Sequence, residues 1–174
     1  MLWGRLSTLS GEPTRLTARS MPVHRSAAEM TSSFTVELGL RVPWGGCDPA
    51  GVVHFSQWFR WFDLATWNFF ERGSMPLQEM MVQYGNAGLP LVSVSAELKS
   101  PARVHEDIVA ATSVSAWKRK ALEMRHIFRR GDTLLLEGRE SRVWVLRDKS
   151  RPNGMRAADI PPEVIQHFRR LAPG

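Results

Sequence analysis

The chain has little of what several classes of protein are built from. Its single cysteine, Cys47, cannot form an internal disulfide, and nothing indicates an oxidising compartment. The cysteine and the five histidines show no spacing typical of zinc ligands, so we expect no metal. No run of about 18 apolar residues occurs, which argues against a membrane-spanning helix. Internal repeats are absent as well. We therefore expect a soluble globular protein of the cytoplasm.

Positive charge is in moderate excess. Lys and Arg number 23 against 17 Asp and Glu, a net charge of +6. Such an excess favours an anionic partner, which could be a nucleic acid, an anionic lipid or a phosphorylated small molecule. No nucleic-acid-binding motif accompanies the charge, and the aromatic residues fall at core spacing rather than along a basic face. We expect a small-molecule partner, with neither nucleic acid nor membrane.

Two segments of different character make up the chain. Residues 1–33 are rich in Ser, Thr and Arg and have little periodicity. They lack the apolar stretch of a secretory signal, although their composition faintly resembles a transit peptide. We interpret them as a disordered extension, or as the result of a start codon placed too early, with Met21 or Met30 as the true start. Residues 34–174 have the size of one ordinary domain.

The first half of this domain predicts one strand and one long helix. Apolar residues alternate with other residues from Phe34 to Val42, which is the period of a strand. From about residue 55 to residue 72, apolar residues recur every three or four positions, which predicts a helix with a very apolar face. Gly73 is placed to end this helix.

The sequence of the second half predicts mainly β-strands. Short links between the later strands favour antiparallel neighbours. Five antiparallel strands that curl around the apolar helix would bury it, which predicts an α+β fold. The four later strands are expected at 91–99, 107–117, 121–130 and 133–147, and short helices at 76–84 and 161–170.

The most informative residues are at 46–53, just before the long helix, and include a turn-like stretch, CDPAG, at 47–51. An Asp followed by Pro and Gly is common in turns, because Asp bonds nearby amides and Gly adopts positive φ. From these residues alone, a structural turn is the better interpretation of Asp48. Cys47 has no His and Asn pair to make it a nucleophile, so we interpret it as a small buried filler.

The run CDPAGVVHFSQWFRWFD at 47–63 resembles the signature of the 4-hydroxybenzoyl-CoA thioesterase family. The stretches GLPLVS at 88–93 and AWKRK at 116–120 extend the similarity, which covers about 35–147 with the same order of elements. The resemblance implies a hotdog fold, in which a five-stranded antiparallel sheet wraps around one long central helix. It implies hydrolysis of an acyl-CoA by a homodimer that assembles into a homotetramer. No separate cofactor is expected, since coenzyme A is part of the substrate.

The resemblance makes Asp48 the catalytic carboxylate, which either attacks the thioester carbonyl or activates a water. The backbone amide of Phe55, at the helix start, is then the donor to the thioester oxygen, a role that is insensitive to its side chain. His54 is a further candidate. It lies one residue before the place where a Tol-Pal-associated branch carries a histidine, and it either helps to protonate the leaving thiolate or is structural.

Two residues are candidates for contact with the acyl group. Asp63 matches a helix aspartate that lies near the ring hydroxyl in the 4-hydroxybenzoyl type. The alternative is a helix carboxylate that pairs with a neighbour such as Arg60. Leu89 takes a place that can hold a smaller polar residue in the family. The acyl group is expected to be aromatic or of medium length.

Lys118, Arg119 and Lys120 lie in a short link between two strands. The family resemblance assigns them to the phosphates of coenzyme A, which suit a cluster of cations. A solvated turn is the alternative. Arg103 and Arg130 are weaker candidates for the same role.

Two other classes of function stay open. A non-catalytic hotdog module would hold an acyl-CoA or an acyl-carrier protein without cleaving it, although the intact Asp-Pro-Ala-Gly motif speaks against this. A nucleic-acid-binding domain is suggested only by the charge.

Overall fold

A computed structural model describes residues 33–173. The prediction of a disordered or mis-started extension at 1–33 falls on residues that, apart from Ser33, lie outside this range. Within 33–173, no helix has the length and apolar character needed to cross a membrane.

Eight strands and three α-helices make up the regular structure of this part of the chain. In chain order they are β1 (Thr35–Arg41), α1 (Phe55–Arg72), α2 (Leu77–Tyr84), β2 (Asn86–Gly88), β3 (Leu91–Leu98), β4 (Asp107–Trp117), β5 (Ala121–Arg130), β6 (Thr133–Val143), β7 (Val145–Arg147), β8 (Met155–Ala157) and α3 (Pro162–Arg170).

Five strands form one antiparallel sheet in the order β1-β4-β5-β6-β3. The tight links after β4 and β5 make these strands neighbours, as the sequence predicts. The strand expected at 133–147 is instead two strands, β6 and β7. They part at Trp144, whose amide donates to the Lys120 carbonyl at 2.9 Å and whose side chain is buried in the core. Strands β2, β7 and β8 form a second, smaller sheet.

Helix α1 packs against one face of the large sheet, as the hotdog fold requires. Its aromatic residues Trp58, Phe62 and Phe69 are almost completely buried. Phe62 lies directly over β6, where a Cβ on Gly138 would come within 2.0 Å of the Phe62 ring. The glycine therefore permits the close approach of helix and sheet, since any side chain there would push the ring away.

The two ends of the sheet carry different segments of the chain. At the near end, Arg41 of β1 is opposite Asp107 of β4, and the chain leaves β1 for the Asp48 turn. At the far end lies the link 118–120 between β4 and β5. There helix α3 covers the sheet, and Phe168 stacks on Trp117 with ring centroids 5.8 Å apart.

Strand β3 forms one edge of the large sheet. Its apolar side chains face solvent, including Leu91, Val92, Val94 and Leu98. An edge strand with exposed apolar residues is suited to pairing with another strand, because its outer amides and carbonyls have no neighbour in the sheet.

Candidate active site

The Asp48 carboxylate is fixed by its own turn. Its Oδ1 accepts hydrogen bonds from the amides of Ala50 at 2.9 Å and Val52 at 3.2 Å. The Asp48 amide donates to the Val52 carbonyl at 2.8 Å, and Gly51 closes the turn with φ of +74°, a value that favours glycine. Within the described residues, the side-chain hydrogen bonds of Asp48 use Oδ1 alone. The second oxygen is therefore the one available for chemistry.

The link between β3 and β4 supports this turn. The Val53 amide donates to the Ala102 carbonyl at 2.9 Å, and the Val104 amide to the Gly51 carbonyl at 3.2 Å. Arg103 forms a β-bridge with Val52, so its exposed side chain lies beside the turn. The turn is thus held on a rigid sheet, which suits a catalytic group that must keep its direction.

Helix α1 begins at Phe55, directly after this turn. The amide of the first helical residue has no acceptor within the helix, and it points outward from the positive end of the helix dipole. It is available to a carbonyl oxygen of a ligand.

His54 caps α1. Its Nδ1 accepts from the Ser56 amide at 3.4 Å and lies 2.9 Å from the Ser56 hydroxyl. The cap therefore satisfies the second helical amide and leaves the amide of Phe55 open. This geometry favours the structural interpretation of His54 over proton transfer.

Because His54 caps α1, His54→Ala is expected to lower the free energy of unfolding by about 1 kcal/mol. His54→Asn, which keeps an acceptor at the cap, is expected to preserve stability and to change kcat by only a few-fold. Urea unfolding and thiol release measure the two effects. A loss of about a hundredfold in kcat for a stable His54→Asn variant would instead assign His54 to proton transfer.

A cleft of about 420 Å³ starts at the beginning of α1 and follows the helix. Helix α1 forms one wall, β3 another, and β6 closes the inner end. Eight residues line it: Ser56, Phe59, Arg60, Asp63, Leu91, Val94, Glu140 and Arg142. Asp63 lies eight residues beyond Phe55, which corresponds to about 12 Å along the helix axis. The distance suits a group of about one ring held at both ends.

Arg142 at the inner end of the cleft binds Asp63. Its Nη2 donates to Asp63 Oδ1 at 2.8 Å. Its Nε and Nη2 donate to the Glu140 carboxylate at 2.8 and 3.0 Å, and its Nη1 donates to the Leu89 carbonyl at 3.3 Å. Asp63 therefore pairs with a distant strand, and its described contacts do not include the Arg60 pairing that we considered from the sequence.

Glu140 and Arg142 are functional candidates that were not predicted from the sequence, although a signal for them existed. Along β6 the buried positions alternate, and Leu136 and Gly138 belong to the same inward set as Glu140 and Arg142. Charged residues at inward positions of a strand must have partners, because burial of an unpaired charge is costly. This pattern alone could have predicted a buried ion pair.

Glu140 is the centre of a wider network. Its Oε2 accepts from the Thr66 hydroxyl at 3.0 Å and lies 3.4 Å from His126 Nε2. This contact lies outside hydrogen-bond geometry, so we treat it as electrostatic. Burial raises the pKa of the Glu140 carboxyl, but the contacts with His126 and Arg142 outweigh burial and lower this pKa to about 2. We call Asp63, Arg142, Glu140, Thr66 and His126 the Glu140 network.

Leu89 contributes its backbone rather than its side chain. The side chain is buried in the core between α1 and the second sheet, whereas the carbonyl accepts from Arg142. The place that we considered for polar contact with the acyl group is thus a core position in this chain.

The cationic link lies away from the Asp48 turn within one chain. Lys118 pairs with Glu123, while Arg119 and Lys120 lie 3.3 and 3.9 Å from Asp159. The link is at the far end of β4, and a strand of 11 residues spans about 35 Å. Asp63 therefore lines the cleft and Phe55 directly precedes Ser56 at its start, whereas the link lies at the other end of the sheet.

Other candidate residues have local partners. Arg130 donates to Glu106 at 2.6 Å, beside the segment that supports the Asp48 turn. Cys47 is half-buried, and burial together with the Asp48 charge raises the pKa of its thiol, which disfavours a thiolate nucleophile. No three His, Cys, Asp or Glu side chains within 33–173 are grouped to hold a metal ion.

Comparison with known proteins shows the family of this chain. The sequence profile of the thioesterase-like superfamily matches residues 42–168. A 4-hydroxybenzoyl-CoA thioesterase from Pseudomonas sp. (strain CBS-3) is 33% identical over 143 residues, which cover 79% of this chain and 98% of that protein.

Two solved structures extend the comparison. A variant of 4-hydroxybenzoyl-CoA thioesterase in complex with 4-hydroxybenzoyl-CoA is 29% identical with a TM-score of 0.71, over 78% of this chain and 99% of that one. A gentisyl-coenzyme A thioesterase is 26% identical with a TM-score of 0.64, over 76% and 98%. The extent of the profile match and the identity to the curated relative place the chain in the thioesterase-like superfamily, as a hotdog-fold thioester hydrolase of the 4-hydroxybenzoyl-CoA thioesterase family.

Proposed function

We propose that this protein hydrolyses the acyl-CoA thioester of a small aromatic acid, with Asp48 as the catalytic carboxylate. One observation carries the proposal. The Asp48 carboxylate, held by its turn with one oxygen free, directly precedes α1, and the open amide of Phe55 begins this helix, which forms one wall of the cleft. The relatives named above act on 4-hydroxybenzoyl-CoA and gentisyl-CoA, which are thioesters of this class.

The chemistry follows from these groups. The thioester oxygen accepts a hydrogen bond from the Phe55 amide, which stabilises the negative charge that develops as the carbonyl carbon is attacked. Asp48 either takes a proton from the attacking water or attacks the carbon itself to give an anhydride, which water then cleaves. In both routes the carbon–sulfur bond breaks, coenzyme A leaves as a thiolate that takes up a proton, and the acid is released.

We further propose that the active unit is a dimer formed through β3, within a homotetramer. A two-fold axis beside this edge would extend the sheet across both copies, and it would cover the exposed Val92 and Leu98. The two-fold axis would make the two copies of the sheet run in opposite directions. The far end of the partner's sheet would then lie beside the near end of the first sheet. This arrangement would bring the cationic residues at 118–120 closer to the Asp48 turn of the other subunit.

A charge on the β3 edge is expected to separate the subunits. Val92 is 65% exposed, so Val92→Lys should not disturb the fold of one chain, while it opposes strand pairing. Sedimentation should show a smaller species, and thiol release should be largely lost. A fully active monomer would contradict a site shared between subunits. Leu171→Lys, a change at another exposed apolar residue, is the control.

Thiol release tests the proposed activity. Benzoyl-, 4-hydroxybenzoyl-, 2-aminobenzoyl-, phenylacetyl-, hexanoyl- and palmitoyl-CoA form the panel, each with wild type and Asp48→Asn. Turnover that depends on Asp48 and prefers one aryl group is expected. Binding of acyl-CoA by calorimetry with no thiol released over hours would replace the proposal with the non-catalytic binding module.

A further inference from the structure

The Ser56 hydroxyl lies at the start of the cleft, and its hydrogen is held by the helix cap. His54 Nδ1 accepts a hydrogen bond from the Ser56 amide at 3.4 Å. Because an amide N–H only donates, this nitrogen carries no hydrogen. Ser56 Oγ, which lies 2.9 Å from the same nitrogen, therefore donates its hydrogen to it. This contact does not use the lone pairs of the hydroxyl oxygen, so they can accept a hydrogen bond from a group in the cleft.

Ser56 is the side-chain acceptor that the cleft presents near the beginning of α1. Among the described residues that line the cleft, the side chains that can accept a hydrogen bond are those of Ser56, Asp63 and Glu140. Asp63 lies seven residues beyond Ser56, which is about 10 Å along the helix axis, and Glu140 is at the inner end. Arg60 comes one helical turn after Ser56, but a guanidinium only donates. Strand β3 contributes apolar side chains to the lining.

The helix cap is joined directly to the Asp48 turn. The His54 amide donates to the Gly46 carbonyl at 2.9 Å. Cys47, which precedes Asp48, forms an antiparallel β-bridge with Val53. The segments before and after the turn are therefore paired with each other, and this pairing fixes the position of the carboxylate relative to the serine hydroxyl.

An attacking water needs two acceptors to be oriented. A water that points a lone pair at the carbonyl carbon directs both of its hydrogens away from that carbon, and two fixed acceptors hold it in this orientation. Asp48 is one acceptor when it acts as the base. The thioester oxygen only accepts and the Phe55 amide only donates, so the oxygen cannot take a water hydrogen while it binds the amide. The Ser56 oxygen can accept, and it belongs to the residue that follows Phe55.

We propose that Ser56 is a further catalytic residue, whose hydroxyl oxygen accepts a hydrogen bond from the attacking water. The inference rests on the proposed hydrolysis. As the water oxygen bonds to the carbonyl carbon, one of its protons passes to Asp48, the other stays in the bond to Ser56, and the carbon–sulfur bond breaks. In the anhydride route the same water attacks the acyl carbon of the anhydride. The bond from that carbon to the Asp48 oxygen then breaks, and the proton passes to the released carboxylate.

Replacement of Ser56 by Ala tests this role. We expect kcat for 4-hydroxybenzoyl-CoA, or for the fastest substrate of the panel above, to fall about tenfold to a hundredfold, the range for one hydrogen bond to a group that gains charge. Steady-state kcat is the quantity to compare, because both routes include attack by water. The Kd of phenacyl-CoA, a non-hydrolysable thioether, should change by less than about twofold, since Ser56 contacts the water rather than the ligand.

Two further variants separate the hydroxyl from the shape of the side chain. Ser56→Thr keeps the hydroxyl, whereas Ser56→Val has nearly the same shape without it. Thr should restore most of the activity that Ala loses, and Val should not, while any steric effect of the added methyl group is common to both. Ser150→Ala is the matched control. Ser150 is exposed and also donates to a side chain two residues earlier, Asp148 Oδ1 at 2.6 Å, and its loss should leave kcat unchanged.

Each outcome has a distinct meaning. Turnover by wild type that Ser56→Ala retains in full overturns the inference alone. A loss of kcat that comes with an equal loss of phenacyl-CoA affinity also overturns it, because Ser56 would then bind the ligand. Equal activity of the Thr and Val variants overturns it as well, because the hydroxyl would then have no role. Absence of thiol release by wild type from every thioester of the panel refutes the proposed function, and this inference with it.

Discussion

Replacing Asp48 by Asn is expected to lower kcat for thioester hydrolysis by about a thousandfold, within the range for loss of a catalytic acid–base group or nucleophile. The amide cannot take a proton from water and is a poor nucleophile. Its oxygen can still accept the bonds that Ala50 and Val52 donate to Asp48 Oδ1. The turn should therefore persist, and the free energy of unfolding should stay within about 0.5 kcal/mol of wild type.

Asp48→Ala provides a useful contrast, because it removes the charge and also the two bonds that hold the turn. It should lose activity like Asp48→Asn, and it should lose stability in addition. Asp132→Asn, at an exposed turn between β5 and β6, is the matched control. Thiol release and urea unfolding on the same samples measure both quantities. An Asp48→Asn variant with unchanged kcat would rule out Asp48 as the catalytic group.

Glu140→Gln is expected to lower the stability at pH 7 by about 3 kcal/mol. The folded-state pKa of Glu140 is about 2, below the ordinary value of 4.5, so between these values the unfolded chain binds more protons than the folded one. The stabilisation is complete above the ordinary pKa and is lost as the pH falls through the folded pKa. The difference between the two pKa values corresponds to about 3 kcal/mol.

Urea unfolding between pH 7 and pH 2 measures this contribution. The stability of wild type should fall more steeply below pH 5 than that of Glu140→Gln, and the two should converge near pH 2. Glu37→Gln, exposed on β1, should follow wild type. Parallel curves for wild type and Glu140→Gln would show that Glu140 is not held ionised by its neighbours. Replacing Arg142 as well as Glu140 should restore part of the stability that Glu140→Gln loses, because the double variant leaves no unpaired charge buried.

Periodicity predicted the main elements well, since it reports which side of each element is buried. Helix α1 covers the expected 55–72, and β4 and β5 have the expected bounds. The prediction was wrong at Trp144, where a single bulky residue turns into the core and ends β6. Hydrophobic periodicity does not predict this strand end, because the end depends on the space that other elements leave for the Trp144 side chain.

The site was only partly readable from the sequence. The residues around Asp48 predict a turn, and the hydrogen bonds of this turn are present. Local sequence therefore predicts the conformation at Asp48 but not a catalytic role. The catalytic assignment came from resemblance. Asp63 and Arg142 are 79 residues apart in sequence, and only the packing of α1 against β6 brings them together. Their partnership therefore could not be predicted from the spacing of residues.

The strand order has a consequence for synthesis on the ribosome. Among the strands of residues 33–173, β1 leaves the ribosome first, and its partner in the sheet is β4. The partner of β3 is β6. Helix α1 therefore emerges long before the sheet that covers Trp58 and Phe62. In a nascent chain that ends before β6, the apolar face of α1 is exposed. We therefore expect this chain to bind a chaperone or a hydrophobic dye. The binding should be lost once residue 143 has left the exit tunnel.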